Sequence, residues 1–325
     1  MRAARCTGYG PPDGLVVVEL DDPVPGPGEV LVRVHAAAVN YPDVLLVANR
    51  YQVPAPLPFT PGSEFAGVVA ALGPDVSGPG VGSPVAGAVL TGAFAEQVVV
   101  PVAGLRPVPE GLDMVHAAAF HVTYATAYHA LTTVGQGTAG EWATVLGAAG
   151  GVGSATVDIA TRLGMRVVAA ASSPERLTVA RKLGAEGGVD YVREDLKTRV
   201  RELTGGEGAH LVVDPVGGDH AEAALRALRR GGRFVTVGYA DGRIPRIPLN
   251  LVLLKDAVVR GFEIRMLRQC APAAVAAGDR ALARMVRDGM RPLVSRVHPL
   301  ADVASALTDV AGRRTTGKVV IDMRA

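Results

Sequence analysis

The clearest chemical signal in this sequence of 325 residues is a glycine-rich turn between a buried strand pattern and a helical one. Residues 145–164 read VLGAAGGVGSATVDIATRLG, and the turn contains Gly147, Gly150, Gly151 and Gly153. Glycines let the backbone approach a pyrophosphate closely, and the free N–H groups and dipole of the following helix bind its charge. Because a strand precedes the turn and a helix follows it, we expect a dinucleotide-binding turn with cofactor contacts at Gly150, Gly151 and Val152.

The end of the next strand distinguishes the two nicotinamide dinucleotides. An NAD site usually has an acid there that binds the ribose 2′-hydroxyl, whereas MRVVAAA is followed here by Ser172, Ser173 and, three residues later, Arg176. Hydroxyls and a guanidinium favour a 2′-phosphate, so the sequence predicts NADPH. The same letters, SSPER, also fit an ordinary helix start with Ser173 as N-cap, and both interpretations can hold together.

The sequence patterns before residue 110 differ from those that surround this turn. The first 110 residues carry short strand patterns closed by Gly or Pro, which predict a small, partly closed β-barrel. The segment DMVHAAAFHVTYATAYHAL, which begins at Asp113, predicts a long helix with Asp113 as its N-cap. Strands and helices then alternate, which predicts a parallel sheet with helices on both faces; the predicted strands are Thr144–Leu146, Val167–Ala171, Leu211–Val213 and Arg233–Val237, and the helices Gly153–Leu163, Pro174–Leu183 and Ala221–Leu228. The last 35 residues return to strand patterns and are expected to close onto the first domain.

Composition excludes several classes of function. The net charge is +2, with 33 basic against 31 acidic residues, so no strong attraction to nucleic acid or anionic lipid is expected. Two distant cysteines, Cys6 and Cys270, fit neither a disulfide framework nor a thiolate metal site. Neither a signal peptide nor a membrane span is evident, and we therefore expect a cytoplasmic protein.

The segments VNYPDVLL, PFTPGSEFAGVV, GAAGGVG, SSPERLTVARKLGA and GKVVIDM together resemble the zinc-independent, zeta-crystallin-like quinone oxidoreductases of the medium-chain dehydrogenase/reductase superfamily. The resemblance implies an α/β fold: a GroES-like β-barrel catalytic domain (1–121 and 288–325) and a doubly wound, parallel-sheet Rossmann domain that binds NADPH (122–287). It also implies a homodimer joined through the nucleotide-binding sheets. The implied activity is NADPH-dependent reduction of quinones or activated alkenes such as enones.

The resemblance also bears on metal. Zinc-dependent relatives have Gly-His-Glu where this chain has Gly62-Ser63-Glu64. The cysteine ligand expected near Ala38 is missing, as are the four cysteines of a structural zinc site. His116 and His121 lie in an apolar helical stretch and are expected to be packed or half-buried rather than metal-bound. We therefore expect no zinc.

Further site residues follow from the resemblance, position by position. Asn40 matches the asparagine that faces the nicotinamide and substrate, and Thr126 matches a threonine of the cofactor pocket. Ser172, Ser173, Arg176 and Tyr191 match the 2′-phosphate site, and Gly238 matches the loop near the nicotinamide ribose. A tyrosine that some members place five residues after the asparagine is Leu45 here, and Tyr51 matches the tyrosine of related enoyl reductases.

Without a metal, the acceptor must be activated by hydrogen bonds to the oxygen on which charge develops. The candidate catalytic residues are Asn40 and Tyr51, and either Tyr51 or water could supply the proton. Two alternatives remain open at this point. One is an enoyl-thioester (enoyl-CoA or acyl-carrier-protein) reductase. Its substrate would favour a basic rim at the cleft, and Arg50 alone does not decide the question. The other is a non-catalytic NADPH- or RNA-binding protein, although the near-neutral charge disfavours RNA.

Overall fold

The structure, a computed structural model, describes all 325 residues, which divide into two compact units. The terminal unit comprises Met1–Val122 and Arg291–Ala325, and the central unit comprises Thr123–Met290. None of the helices combines the length and apolar character that crossing a membrane requires.

The terminal unit is built mainly from antiparallel strands. Its first segment contains β1 (Arg2–Arg5), β2 (Val16–Glu19), β3 (Glu29–Val39), α1 (Tyr41–Val47), β4 (Glu64–Leu72), β5 (Pro84–Ala88), β6 (Gln97–Pro101), β7 (Leu105–Pro107) and α2 (Met114–Ala118). Its second segment contains β14 (Val294–Pro299), α11 (Val303–Ala311) and β15 (Lys318–Asp322). Seven of the strands form one sheet in the order β14-β15-β3-β4-β5-β7, with β6 also paired to β3.

Strand β3 organises this sheet. Its alternating sequence buries Val30, Val32 and Val34 in the core, as the period of two along a strand requires. The last strand, β15, pairs antiparallel with the end of β3, from Val319 opposite Val39 to Asp322 opposite Ala36. The expectation that the chain closes back onto its first domain is therefore confirmed.

The central unit alternates strands and helices. It contains α3, which begins at the unit boundary (His121–His129), β8 (Trp142–Leu146), α4 (Gly151–Arg162), β9 (Arg166–Ala171), α5 (Pro174–Lys182), β10 (Gly187–Asp190), α6 (Leu196–Leu203), β11 (Ala209–Asp214), α7 (His220–Ala227), β12 (Leu228–Thr236), α8 (Leu249–Lys255), β13 (Val258–Gly261), α9 (Ile264–Cys270) and α10 (Pro272–Arg287). The six strands are all parallel, in the order β10-β9-β8-β11-β12-β13. The α/β class and the parallel sheet predicted from the sequence are confirmed.

The strand order reverses at β8. The chain runs outward from β8 through β9 to β10, then crosses back to β11 on the other side of β8. In open parallel sheets, ligands bind at the carboxyl ends of the strands beside such a reversal. The glycine-rich turn follows β8 and so lies at this point.

The long helix predicted from Asp113 is wrong in its continuity. Asp113 does cap α2, since its side chain accepts the His116 N–H at 2.9 Å. The helix ends at Ala118, however, and α3 begins at His121. The Val122 N–H at the start of α3 is satisfied by Glu64 Oε1 at 2.7 Å, so a side chain replaces the missing helical acceptor.

Candidate active site

The glycine-rich turn of the central unit has the shape of an anion cradle. Gly147 has a φ of +58°, which favours glycine. A Cβ at Gly153 would lie 2.0 Å from the Gly147 carbonyl oxygen, so only glycine allows the turn to pack on its helix. Helix α4 begins at Gly151 with Gly150 as N-cap, and its first turn contains no acidic residue. Backbone N–H groups at Gly151 and Val152 therefore lie at the positive end of a helix of 12 residues, which fits a pyrophosphate.

The predicted 2′-phosphate residues meet at the ends of two neighbouring strands. In the parallel pairing of β9 with β10, Ala171 is the partner of Asp190. The next residue, Tyr191, donates its backbone N–H to the Ala171 carbonyl at 3.1 Å, directly before Ser172 and Ser173. The sequence separates these residues by almost twenty positions, and the register of the sheet brings them together.

Helix α5 begins as the sequence predicted. Ser173 is its N-cap, with Oγ accepting the Arg176 N–H at 3.4 Å, and Pro174 is the first helical residue. Ser172 is exposed and Arg176 is half-buried. These residues add hydroxyls and a guanidinium to the positive end of a helix, a combination that fits a phosphate.

Glu175 is a carboxylate that sequence reasoning passed over. It lies in the first turn of α5 and is exposed. The Ser173 hydroxyl lowers the pKa of Glu175 by hydrogen bonding to it, so this carboxylate is charged and competes for a donor of the predicted phosphate site. Glu175 is visible in the sequence as the fourth residue of the segment SSPER, so its carboxylate could have been considered together with Ser173 and Arg176.

The two strands on the other side of β8 contribute shaped loops. Asp214, at the end of β11, accepts the N–H groups of Val216 at 2.7 Å and Gly217 at 2.8 Å through one carboxylate oxygen. Burial raises the Asp214 pKa to about 6, against the effect of these two bonds. Val237 N–H donates to the Asp214 carbonyl at 2.8 Å, which places Gly238 beside this loop at the same edge of the sheet. Thr126 lies on α3 and is 8% exposed.

The terminal unit contains a buried polar cluster around Asn40. The pairing of Val319 with Val39 places Lys318, the first residue of β15, opposite Asn40 at the end of β3. Lys318 Nζ donates to Asn40 Oδ1, to the Val39 carbonyl at 3.1 Å and to Glu64 Oε2 at 3.3 Å. Asn40 Nδ2 lies 3.2 Å from the same Glu64 oxygen. The three side chains are 6% exposed or less, so they form one buried network.

Two further polar side chains extend this cluster. Ser63, in the position of the histidine ligand of zinc-dependent relatives, has its Oγ 3.3 Å from Asn40 Nδ2. Asp43 accepts the Asn40 backbone N–H at 2.7 Å, which completes the first turn of α1. Burial raises the pKa of Asp43 to about 7, opposed by hydrogen bonds from Asn40 and Ser63 and by the Lys318 charge.

The remaining residues singled out from the sequence are Tyr51, Leu45, His116 and His121. Tyr51 follows α1 and packs, half-buried, against the core of the terminal unit. Leu45 is half-buried on α1. The His116 ring pairs with Asp113 at 2.8 Å, and His121 is 8% exposed. No group of three or more His, Cys, Asp or Glu side chains has the arrangement of a metal site.

Sequence reasoning missed Lys318 and Asp43 as members of this cluster. Both lie inside the quoted segments GKVVIDM and VNYPDVLL, but Lys318 reaches Asn40 across 278 positions of sequence. A lysine that begins an apolar strand was the available signal, because an unpaired charge is rarely buried there.

Two protein-family models match this chain, and each matched range lies within one of the two units. Residues 26–110 match the alcohol dehydrogenase GroES-like domain, and residues 151–278 match the zinc-binding dehydrogenase family. The chain is 37% identical to a quinone oxidoreductase-like protein 2 of Bos taurus over 99% of this chain and 93% of that protein. It belongs to the quinone oxidoreductase-like family of the medium-chain dehydrogenase/reductase superfamily. Its terminal unit accordingly has a GroES-like fold, and its central unit is a Rossmann-like domain.

Two other relatives inform the chemistry of this quinone oxidoreductase-like chain. The crystal structures of the quinone oxidoreductase of Thermus thermophilus include a complex with NADPH; that protein is 35% identical, with a TM-score of 0.87 over 99% of this chain and 100% of that one. A 2-haloacrylate reductase of a Burkholderia species is 32% identical over 96% of each chain. The chain is thus an oxidoreductase of a family that includes NADPH-bound members.

Proposed function

We propose that this chain is an NADPH-dependent reductase that transfers a hydride to a quinone or an activated alkene such as an enone, without a metal. The observation that carries the proposal is the end of β9, where Ser172, Ser173 and Arg176 replace the acid of an NAD site and Tyr191 lies alongside. The NADPH complex of the relative from Thermus thermophilus supports the cofactor, and the named substrates of relatives support the two classes of acceptor.

Each element of the central unit has a distinct task in this proposal. The N–H groups at Gly151 and Val152 bind the pyrophosphate, and Gly150, whose own N–H donates to the Gly147 carbonyl at 2.8 Å, shapes the turn. Ser172 and Arg176 donate to the 2′-phosphate. Thr126 and Gly238 line the nicotinamide end. Bound NADPH supplies the hydride.

In the terminal unit, Asn40 and Tyr51 are the proposed donors to the carbonyl oxygen of the acceptor, where charge develops during hydride transfer. Metal independence is supported by Ser63 in the histidine position and by the absence of a clustered ligand set. The buried Lys318 is also a fixed positive charge within hydrogen-bond reach of Asn40.

The proposed partner, besides the substrate, is a second copy of this chain. Strand β13 is the edge of the parallel sheet, and all four of its residues are exposed, with Val258 and Val259 each 42% exposed. On α8, Leu253 and Leu254 are 79% and 68% exposed. An unpaired, apolar edge strand is a template for pairing, and a homodimer that continues the sheet would cover it.

The experiment that tests the proposal is a turnover assay with purified protein, NADPH and three acceptors: a quinone, an enone and an enoyl-CoA. Loss of the reduced nicotinamide absorbance with the quinone or the enone, unchanged after prolonged chelation, is the expected result. Turnover confined to enoyl-CoA would favour the thioester reductase. Binding of NADPH with no oxidation by any acceptor would contradict a catalytic role, and stoichiometric zinc whose removal abolishes activity would contradict metal independence.

A further inference from the structure

Lys318 brings three hydrogen-bond donors to three acceptors in the core of the terminal unit. The acceptors are the Val39 carbonyl, Asn40 Oδ1 and Glu64 Oε2, all within 3.3 Å of Nζ. We infer that Lys318 is a positioning residue whose ammonium group holds the Asn40 carboxamide in a single orientation. The inference rests on the proposed function, in which Asn40 acts on the acceptor.

The chemistry of the two groups fixes the orientation of the amide. An ammonium group can only donate, so it selects the oxygen of the Asn40 carboxamide. The nitrogen then faces the opposite side, where Glu64 Oε2 lies at 3.2 Å and Ser63 Oγ at 3.3 Å. Without Lys318, Oδ1 loses its cationic donor, and the amide is held only by the longer bonds of Nδ2 to Glu64, Ser63 and the Ala38 carbonyl, at 3.2–3.4 Å.

The strands make the arrangement rigid. Lys318 begins β15 opposite Asn40, and Glu64 begins β4 on the other side of β3. Two of the three side chains therefore lie on strands, and Asn40 directly follows the strand between them. Asn40 can orient the acceptor only if its own side chain is held rigidly. Small misplacements of such a group lower the reaction rate by large factors.

The residue type is also informative. The sequence contains 33 lysines and arginines, of which four are lysines, and Lys318 is the lysine of the terminal unit. Three acceptors around one nitrogen match a compact ammonium, whereas the planar guanidinium of arginine suits bidentate carboxylate pairs. Lysine and arginine are therefore not interchangeable at this position.

A mutant cycle tests whether Lys318 acts through Asn40. Lys318→Met should lower kcat for acceptor reduction by about 10-fold or more while leaving NADPH binding, followed by fluorescence titration, unchanged. Asn40→Ala should lower kcat similarly, and the double variant should be no slower than Asn40→Ala alone. Lys182→Met, the same change at an exposed helical site, should retain full activity. Additive losses in the double variant, or an unchanged kcat in Lys318→Met, would overturn the inference.

A second readout does not depend on activity. The chain has three asparagines, and Asn49 and Asn250 are exposed whereas Asn40 is 6% exposed. With asparagine-selective ¹⁵N labelling, the side-chain amide of Asn40 should be the one pair protected from solvent exchange, and Lys318→Met should remove that protection. If the single variant fails to fold, Lys318→Met with Glu64→Gln removes both buried charges and serves instead.

The two measurements separate the inference from the proposed function. If the wild type reduces none of the acceptors, the proposed function fails, and the amide exchange still decides the role of Lys318. A folded Lys318 variant with Asn40 as protected as in the wild type would overturn the inference even if the enzyme is active.

Discussion

Lys318 Nζ lies 3.3 Å from Glu64 Oε2, and the two side chains are 4% and 0% exposed. Glu64 also accepts the Val122 N–H and the Asn40 amide, so both of its oxygens are satisfied. A buried pair of this kind adds little net stability compared with apolar residues, but either charge alone in the same place is costly. We therefore expect the polar cluster of the terminal unit to be stable with both charges present and strongly destabilised when either one is removed.

Removing one charge of this pair should destabilise the protein strongly. Glu64→Gln keeps the size of the side chain but leaves the Lys318 ammonium without a counter-charge, at an expected cost of about 3–5 kcal/mol in the free energy of unfolding. The matched control is Glu96→Gln, which breaks a more exposed pair with Arg2 and should cost about 1 kcal/mol or less. Urea denaturation measures both, and equal losses would contradict this view of the cluster.

Asp43 should make stability depend on pH. Burial raises its pKa in the folded protein from 3.8 to about 7, so the folded state holds the proton more tightly than the unfolded chain does. Its contribution to stability is therefore fully present below the unfolded value and is lost as pH rises through about 7. Between about pH 4 and about pH 7, the unfolding free energy of the wild type should fall relative to that of Asp43→Asn. Parallel stability curves for the two proteins would show that folding does not raise the pKa of Asp43.

Elements with a strong local pattern were predictable from the sequence. Helix α5 begins at Pro174 with Ser173 as its cap, as its letters indicated, and the turn before α4 has its predicted place between strand and helix. These signals are local, since capping and turn chemistry involve only neighbouring residues. The break after Ala118 could not be predicted, because the acceptor for the Val122 N–H comes from Glu64, 58 positions away.

Not every missed feature lacked a local signal. Strand β13 has only four residues, too few for a distinctive alternation, whereas the amphipathic helix α10 begins at a proline and did have a local signal that was missed. The candidate site shows the same division. The residues proposed for the 2′-phosphate near Ser172 could be selected from a short stretch of sequence, whereas the Lys318–Asn40 bond depends on the register of β15 against β3.

The Tyr51 hydroxyl should assist the chemical step. Its ring already packs against the core, so Tyr51→Phe keeps the shape and removes only the donor. If the hydroxyl donates in the transition state, kcat should fall about 10-fold or more, which corresponds to about 1.4 kcal/mol. Tyr9→Phe is the control, because the Tyr9 hydroxyl bonds the Ala55 carbonyl at 2.8 Å and its loss should affect stability rather than kcat. An unchanged rate in Tyr51→Phe would leave water as the proton source.

The edge strand β13 should mediate dimerisation. Val259→Lys places a charge on that edge and should convert a dimer into a monomer in sedimentation or light-scattering measurements. Val81→Lys, at a residue that is 66% exposed in the terminal unit, should leave the dimer intact. A monomeric wild type, or a Val259→Lys variant that remains dimeric, would contradict pairing through this strand.

The central claim, that the carboxyl edge of the parallel sheet binds NADPH for hydride transfer, is tested most directly at Arg176. A charge-assisted bond to phosphate contributes about 1.5–3 kcal/mol, so Arg176→Ala should raise the KM for NADPH by about 10-fold or more. NADH has no 2′-phosphate, so its KM should barely change, and Arg181→Ala in the same helix should alter neither. The measurement is the KM for both cofactors in wild type and variants. A selective loss for NADPH is the predicted result, and equal losses for both cofactors, or a wild type that prefers NADH, would contradict the account.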